Sequence, residues 1–147
     1  MSHPADIIDY RFFFAAKARS KVTFTISSPT KHFTFKIKCM ETPGRPNTLL
    51  LSVLNGQDNE RSYAYVGIMK REARVPTIFS TRKSKVTLEA QSVQALLWTM
   101  RQIQEKKQLP EGYKAMHSGN CCRCGSKLTT PKSITLGIGP VCAASGW

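Results

Sequence analysis

The stretch Lys21-Val-Thr-Phe-Thr-Ile-Ser-Ser-Pro-Thr-Lys-His-Phe-Thr-Phe-Lys-Ile-Lys38 alternates apolar and polar side chains twice, with turn residues between. Val22, Phe24 and Ile26 share one parity, and Thr23 and Thr25 take the other. Successive side chains of a strand point to opposite faces, so this run predicts a half-buried strand. Beyond Ser27-Ser28-Pro29-Thr30 the pattern resumes, with Phe33, Phe35 and Ile37 on one face and Thr34, Lys36 and Lys38 on the other. The pair predicts an antiparallel hairpin, apolar on its core side and basic on its outer side.

Working outward, Thr42 to Asn47 reads as a loop, Leu49 to Leu54 as a third strand and Asn55 to Glu60 as turn chemistry. Ser62 to Met69 supplies a fourth strand, and Thr77 to Thr81 is a candidate short fifth. Thr87 is placed to cap a helix of about 88–107, in which Val93, Leu96, Leu97, Met100 and Ile103 recur at helical spacing. A small sheet needs a cover, and this helix is expected to provide it. Leu109-Pro110-Glu111-Gly112 then stops the helix. The expected fold class is α+β: a small antiparallel sheet covered by one long helix, followed by a C-terminal treble-clef or zinc-knuckle-like module. The expected domains are 1–110, basic and β-rich, and 111–147, metal-binding.

Composition bounds the function. The 147 residues hold 22 Lys and Arg against 9 Asp and Glu, a net charge of +13, and 41% are hydrophobic. That is enough apolar material for a core, so disorder does not describe the chain. There is no run of 18 apolar residues and no basic n-region at the N-terminus. The expectation is therefore a cytoplasmic protein with no membrane partner. A strong base excess points to a polyanion.

Chemistry concentrates in the tail. His117-Ser-Gly-Asn-Cys121-Cys-Arg-Cys124-Gly125 ends in a C-x-x-C-G turn, and Gly137-Ile-Gly139-Pro140-Val-Cys142 adds a further thiol. A structural zinc takes four tetrahedral nitrogen or sulfur ligands, often in short-spaced pairs from tight turns. Pro140 suits a first helical position, which would place Cys142 in the first turn, where the helix dipole favours a thiolate. Three thiols need a fourth ligand, and His117 precedes Cys121 at suitable spacing; Cys122 or a water is the substitute. Redox use of the C-x-x-C is disfavoured, because no βαβ pattern precedes it. The expected set is His117, Cys121, Cys124 and Cys142 around one structural zinc ion, with no vacant catalytic position.

This tail resembles a small domain family of unknown function, widespread in bacteriophages, prophages and actinobacterial genomes. Its members pair H-x-G-x-C-x-x-C-G-x-x-L-T with P-x-S-I-x-x-G-I-G-P-x-C. The resemblance extends more weakly upstream, through Phe24-Thr25, Phe33-Thr34-Phe35 and Ser52 to Asn59. It implies zinc ligation by the same four residues and a phage or mobile-element setting, and it implies no activity. Cys122 is the departure, where the family usually has another residue.

The first 110 residues carry 18 basic and 8 acidic side chains, a net +10. Arg11 to Lys38 holds seven bases and no acid, and Lys70 to Lys85 holds six bases against Glu72. Lys21, Lys36, Lys38, Arg82, Lys83 and Lys85 are the expected nucleic-acid contacts, on DNA or RNA, mainly at backbone phosphates. No phosphate loop, H-E-x-x-H or nucleophile elbow is present, so the expectation is a non-enzyme. The alternative expectation is a phage-encoded factor docking on a host protein or nucleoprotein complex.

Overall fold

The computed structural model describes residues 5–17, 20–40, 47–56, 62–71 and 73–145. Its elements are β1 (Ala5–Asp6), a 3₁₀ turn (Tyr10–Phe14), β2 (Lys21–Ser27), β3 (His32–Cys39), β4 (Thr48–Leu54), β5 (Tyr63–Lys70), α1 (Gln91–Lys106), β6 (Lys114–His117), α2 (Pro131–Leu136) and α3 (Pro140–Ala144). All strand pairs are antiparallel, in the order β1-β6-β2-β3-β4-β5.

The alternation at 21–38 sets the register. Val22 faces Ile37 and Phe24 faces Phe35 across β2 and β3, while Phe35 and Ile37 meet Val53 and Leu51 of β4. These six side chains are buried, and the Phe24 and Phe35 rings stack at 5.5 Å. On the opposite parity, Thr25 and Thr34 pair through their hydroxyls at 2.7 Å. Among the described residues no element buries that second face, whose strand side chains are half-buried or exposed apart from Thr48.

The cover of the core face corrects the expected single helix. α1 buries Val93, Leu96, Met100 and Ile103, but the 3₁₀ turn adds Phe12, Phe13 and Phe14. Phe13 meets Phe24 edge-on at 5.2 Å. Burying each such ring contributes about 1.5–3 kcal/mol, so this turn belongs to the core as fully as α1 does.

α1 also starts later than Leu88. Ala90 donates its N–H to the Thr87 carbonyl, and Gln94 Nε2 caps the Leu88 carbonyl. These bonds make 87–90 a tight turn, with Ala90 rather than Thr87 at the N-cap. The stretch 77–81 contributes a bridge, Ile68 with Phe79, instead of a strand. Gly67 permits it, since a Cβ there would lie 2.2 Å from the Phe79 carbonyl oxygen. The loop expected at 42–47 and the turn at 55–60 fall mostly outside the described residues.

β6 has the largest consequence. It inserts between β1 and β2, pairing Phe24 with His117 and Ser27 with Lys114. Cys121, Cys122, Leu128 and Ile138 join the same hydrophobic cluster as Phe12, Phe24 and Leu96. Sheet and core therefore run through the 110/111 division that composition suggests. Among the described residues no helix is long and apolar enough to cross a membrane.

Candidate metal centre and the open sheet face

Local chain geometry builds the cysteine cluster. Gly125, at φ +82°, closes the turn after Cys124, and its N–H bonds the Cys121 carbonyl at 2.9 Å. Thr130 caps α2 through Oγ1, which accepts from Ser133 N, and Pro131 occupies a first-turn position. Gly137 ends α2 at φ +77°, and Gly139 with Pro140 starts α3, setting Cys142 in its first turn. That is the position the proline spacing predicts.

The sulfurs of Cys121, Cys124 and Cys142 lie within 4.8 Å of one another. A tetrahedral zinc with sulfurs at about 2.3 Å spaces them about 3.8 Å apart, so closing on a metal takes at most about 1 Å of movement. Three amides point at Cys121 Sγ: Arg123 N at 3.4 Å, Cys124 N at 3.5 Å and Gly139 N at 3.3 Å. Donors so arranged stabilise a thiolate.

Burial raises the Cys124 thiol, but hydrogen bonds from Ser126 outweigh it and hold the group to about 7. Burial and the neighbouring Cys124 push Cys142 up to about 11. Three thiolates this close repel one another, and a bound cation removes that cost. These three cysteines could hold a metal ion. The cleft they share with Ser126, Thr130 and Ser133 measures about 240 Å³.

His117, expected as the fourth ligand, is not brought into this group of three sulfurs. It is 1% exposed on the core parity of β6 and stacks on Phe12 at 6.0 Å. Gly119 donates its N–H to Nδ1 at 2.9 Å, and Nε2 lies 2.7 Å from the Ile134 carbonyl oxygen. A carbonyl only accepts, so Nε2 carries the proton and both ring nitrogens are occupied by backbone. Burial lowers the imidazole below its ordinary value, keeping it neutral. Cys122 also stays out of the group: it is 1% exposed, burial pushes its thiol up, and its N–H bonds the Gly137 carbonyl at 2.9 Å. It acts as an apolar filler between turn and core.

The expected basic residues divide into two sets. Lys21, Lys36 and Lys38 share the outer face of the sheet through the pairs Lys21 with Lys38 and Thr23 with Lys36. Lys36 Nζ lies 4.0 Å over the Tyr63 ring. Arg82, Lys83 and Lys85 are exposed in the segment along β5, where Lys85 N–H bonds the Tyr65 carbonyl at 2.8 Å. Thr81 Oγ1 meets Tyr65 Oη at 3.5 Å, tying that segment to the same face.

Sequence reasoning missed Lys70 and Lys114, which register adds to this face through Thr48 and Ser27. It also missed the backbone donors of Gly119 and Gly139. Parity within β5 would have set Lys70 opposite Tyr63 and Tyr65, because a register shift between Tyr65 and Gly67 breaks the alternation; β6 is too short for parity to speak.

No curated protein and no solved structure matches the chain. Residues 114–145, which run from β6 through all three clustered cysteines to the end of α3, match a family described as a family of unknown function (DUF6011).

Proposed function

We propose that this is a non-enzymatic, zinc-stabilised nucleic-acid-binding protein that meets backbone phosphates with its open sheet face. One observation carries the reading: the strand residues of that face hold Lys21, Lys36, Lys38, Lys70 and Lys114 against one acid, Asp6, together with Tyr63 and Tyr65. An uncovered sheet with interleaved lysines and tyrosines suits phosphates at the ammonium groups and bases on the rings. Arg82, Lys83 and Lys85 flank it and would extend the contact.

One structural zinc at Cys121, Cys124 and Cys142 would hold the tail in a treble-clef-like knuckle, its fourth position taken by a ligand outside those sulfurs. The phage or mobile-element setting belongs to the same reading. So does a host nucleoprotein complex as the place where the nucleic acid is met.

The test is binding to single- and double-stranded DNA and RNA across a salt series. With six phosphates engaged, log affinity should fall by about 5 per tenfold rise in salt. Lys21→Ala with Lys38→Ala should lower that slope by about 2. Absence of binding to every nucleic acid at low salt sinks the reading. Capture of one protein that survives nuclease and high salt would favour docking on a protein partner instead.

A further inference from the structure

A cavity of about 390 Å³ opens at the hairpin end of β2 and β3, against α1. Phe33, Trp98 and Tyr113 line it, with Lys31, Gln91 and Thr30 at its polar side. Trp98 and Tyr113 pair at 5.0 Å with a 55° tilt, Tyr113 exposed and Trp98 half-buried. Among the described residues no acid lines this cavity, and Lys31 Nζ bonds the neutral Gln91 Oε1. Glu89 and Glu111, each two residues from a lining side chain, are exposed and do not contribute to the wall.

Gln91 opens α1, a helix of 16 residues, and Ala90 at the N-cap offers no side chain to the first-turn amides. An uncapped helix N-terminus beside an uncompensated ammonium attracts an anion, and the aromatic wall attracts a flat ring. The volume lies within the range of small-ligand sites. Register connects the cavity to the open face: Ser27 lines it and pairs with both His32 and Lys114, and Tyr113 is the residue before Lys114.

We propose that this cavity binds one nucleotide unit, with the base against Trp98 and Tyr113 and the phosphate at Lys31 and the α1 N-terminus. The ligand chemistry is a nucleobase carrying a phosphate; its source is either a free mononucleotide or an unpaired residue of a bound strand. For the strand source, the proposal rests on the nucleic-acid reading above.

The test uses the full chain with its metal, in a Trp147→Phe background so that Trp98 is the sole indole. Fluorescence is titrated with AMP and UMP, with ribose 5-phosphate, with a single strand of eight nucleotides, and with an abasic strand of equal length. Saturable quenching by a mononucleotide but not by ribose 5-phosphate supports the site with a free ligand. Binding of the full strand about tenfold tighter than the abasic strand supports the strand source, provided Tyr113→Ala removes the difference. Lys31→Gln should weaken both ligands and leave the fold intact by circular dichroism.

If full and abasic strands bind alike in every variant and no mononucleotide quenches, the cavity proposal is overturned while the open-face reading stands. If neither strand binds, the open-face reading fails and the mononucleotide arm alone decides: quenching supports the cavity, and its absence overturns it.

Discussion

The two ring nitrogens of His117 each meet a backbone group, Gly119 N–H and the Ile134 carbonyl, so the side chain ties β6 to α2. Its spacing from Cys121 matches a ligand, yet its place on β6 turns it into the core instead. His117→Gln should therefore keep the metal content of the parent chain, whereas Cys142→Ser should lose it, both read by elemental analysis. The same His117 change should cost about 1–3 kcal/mol in denaturant unfolding, because buried backbone partners lose their bonds. Burial lowers the folded imidazole below the ordinary value near 6.5, so on acidification the unfolded chain binds a proton first. The stability from this group is fully present above about pH 6.5 and is lost as pH falls below it. Both chains release metal as their thiolates protonate, so the extra loss in the parent relative to His117→Gln isolates the imidazole. Equal pH profiles for the two chains would contradict the assignment.

At the scale of elements, the joint between α2 and α3 holds the centre together. Gly137 ends α2 in the left-handed region, and a Cβ there would sit 3.1 Å from Phe12 Cδ2 and 3.3 Å from His117 Cδ2. Gly137→Ala should cost about 1–2 kcal/mol from backbone conformation alone, measured by thermal unfolding. It should also weaken metal retention in a chelator competition, since the Gly137 carbonyl holds Cys122 N–H. Unchanged metal retention would separate the joint from the site. Elements with long, clean periods were legible in the sequence: the hairpin at 21–38, β4, β5 and the apolar stripe of α1. Those it hid were short or aperiodic. β6 has four residues and β1 two, too few for parity to register, so the sheet's order could not be read. Tyr10 to Phe14 sets Arg11 among four aromatic residues with neither strand nor helix spacing, and its 3₁₀ geometry combines the Asp9 cap with packing on Phe24. The cluster of three thiols was legible because C-x-x-C-G encodes its own turn. The orientation of His117 was not, because spacing says nothing about which face of a strand a side chain takes.

For the whole molecule, charge and cysteines look separable by composition and are joined by topology. The segment 111–147 carries a net +3 and the rest +10. Yet Lys114 sits on the basic face, while Ala115 and His117 of the same strand fill the core beneath it. The cysteine turn is also anchored to the segment before β2, because Lys17 N–H bonds the Arg123 carbonyl at 3.1 Å. Metal binding free energy is folding free energy wherever the site forms only in the folded chain. A tail that folded as a unit of its own would melt separately on metal removal and leave the sheet intact. Here the strand leading into the site is flanked by β1 and β2 within one sheet, so removing the metal should destabilise the whole. Calorimetry with and without a chelator should therefore show one transition moving to lower temperature, instead of a second, smaller transition splitting away. For metal present at a hundredfold over its dissociation constant, the shift corresponds to about 2.7 kcal/mol. Two transitions, with the upper one unmoved, would show that the tail's strand adds little to the sheet. A single shifted transition would make phosphate binding by the open face depend on the metal through the sheet that β6 shares with β2.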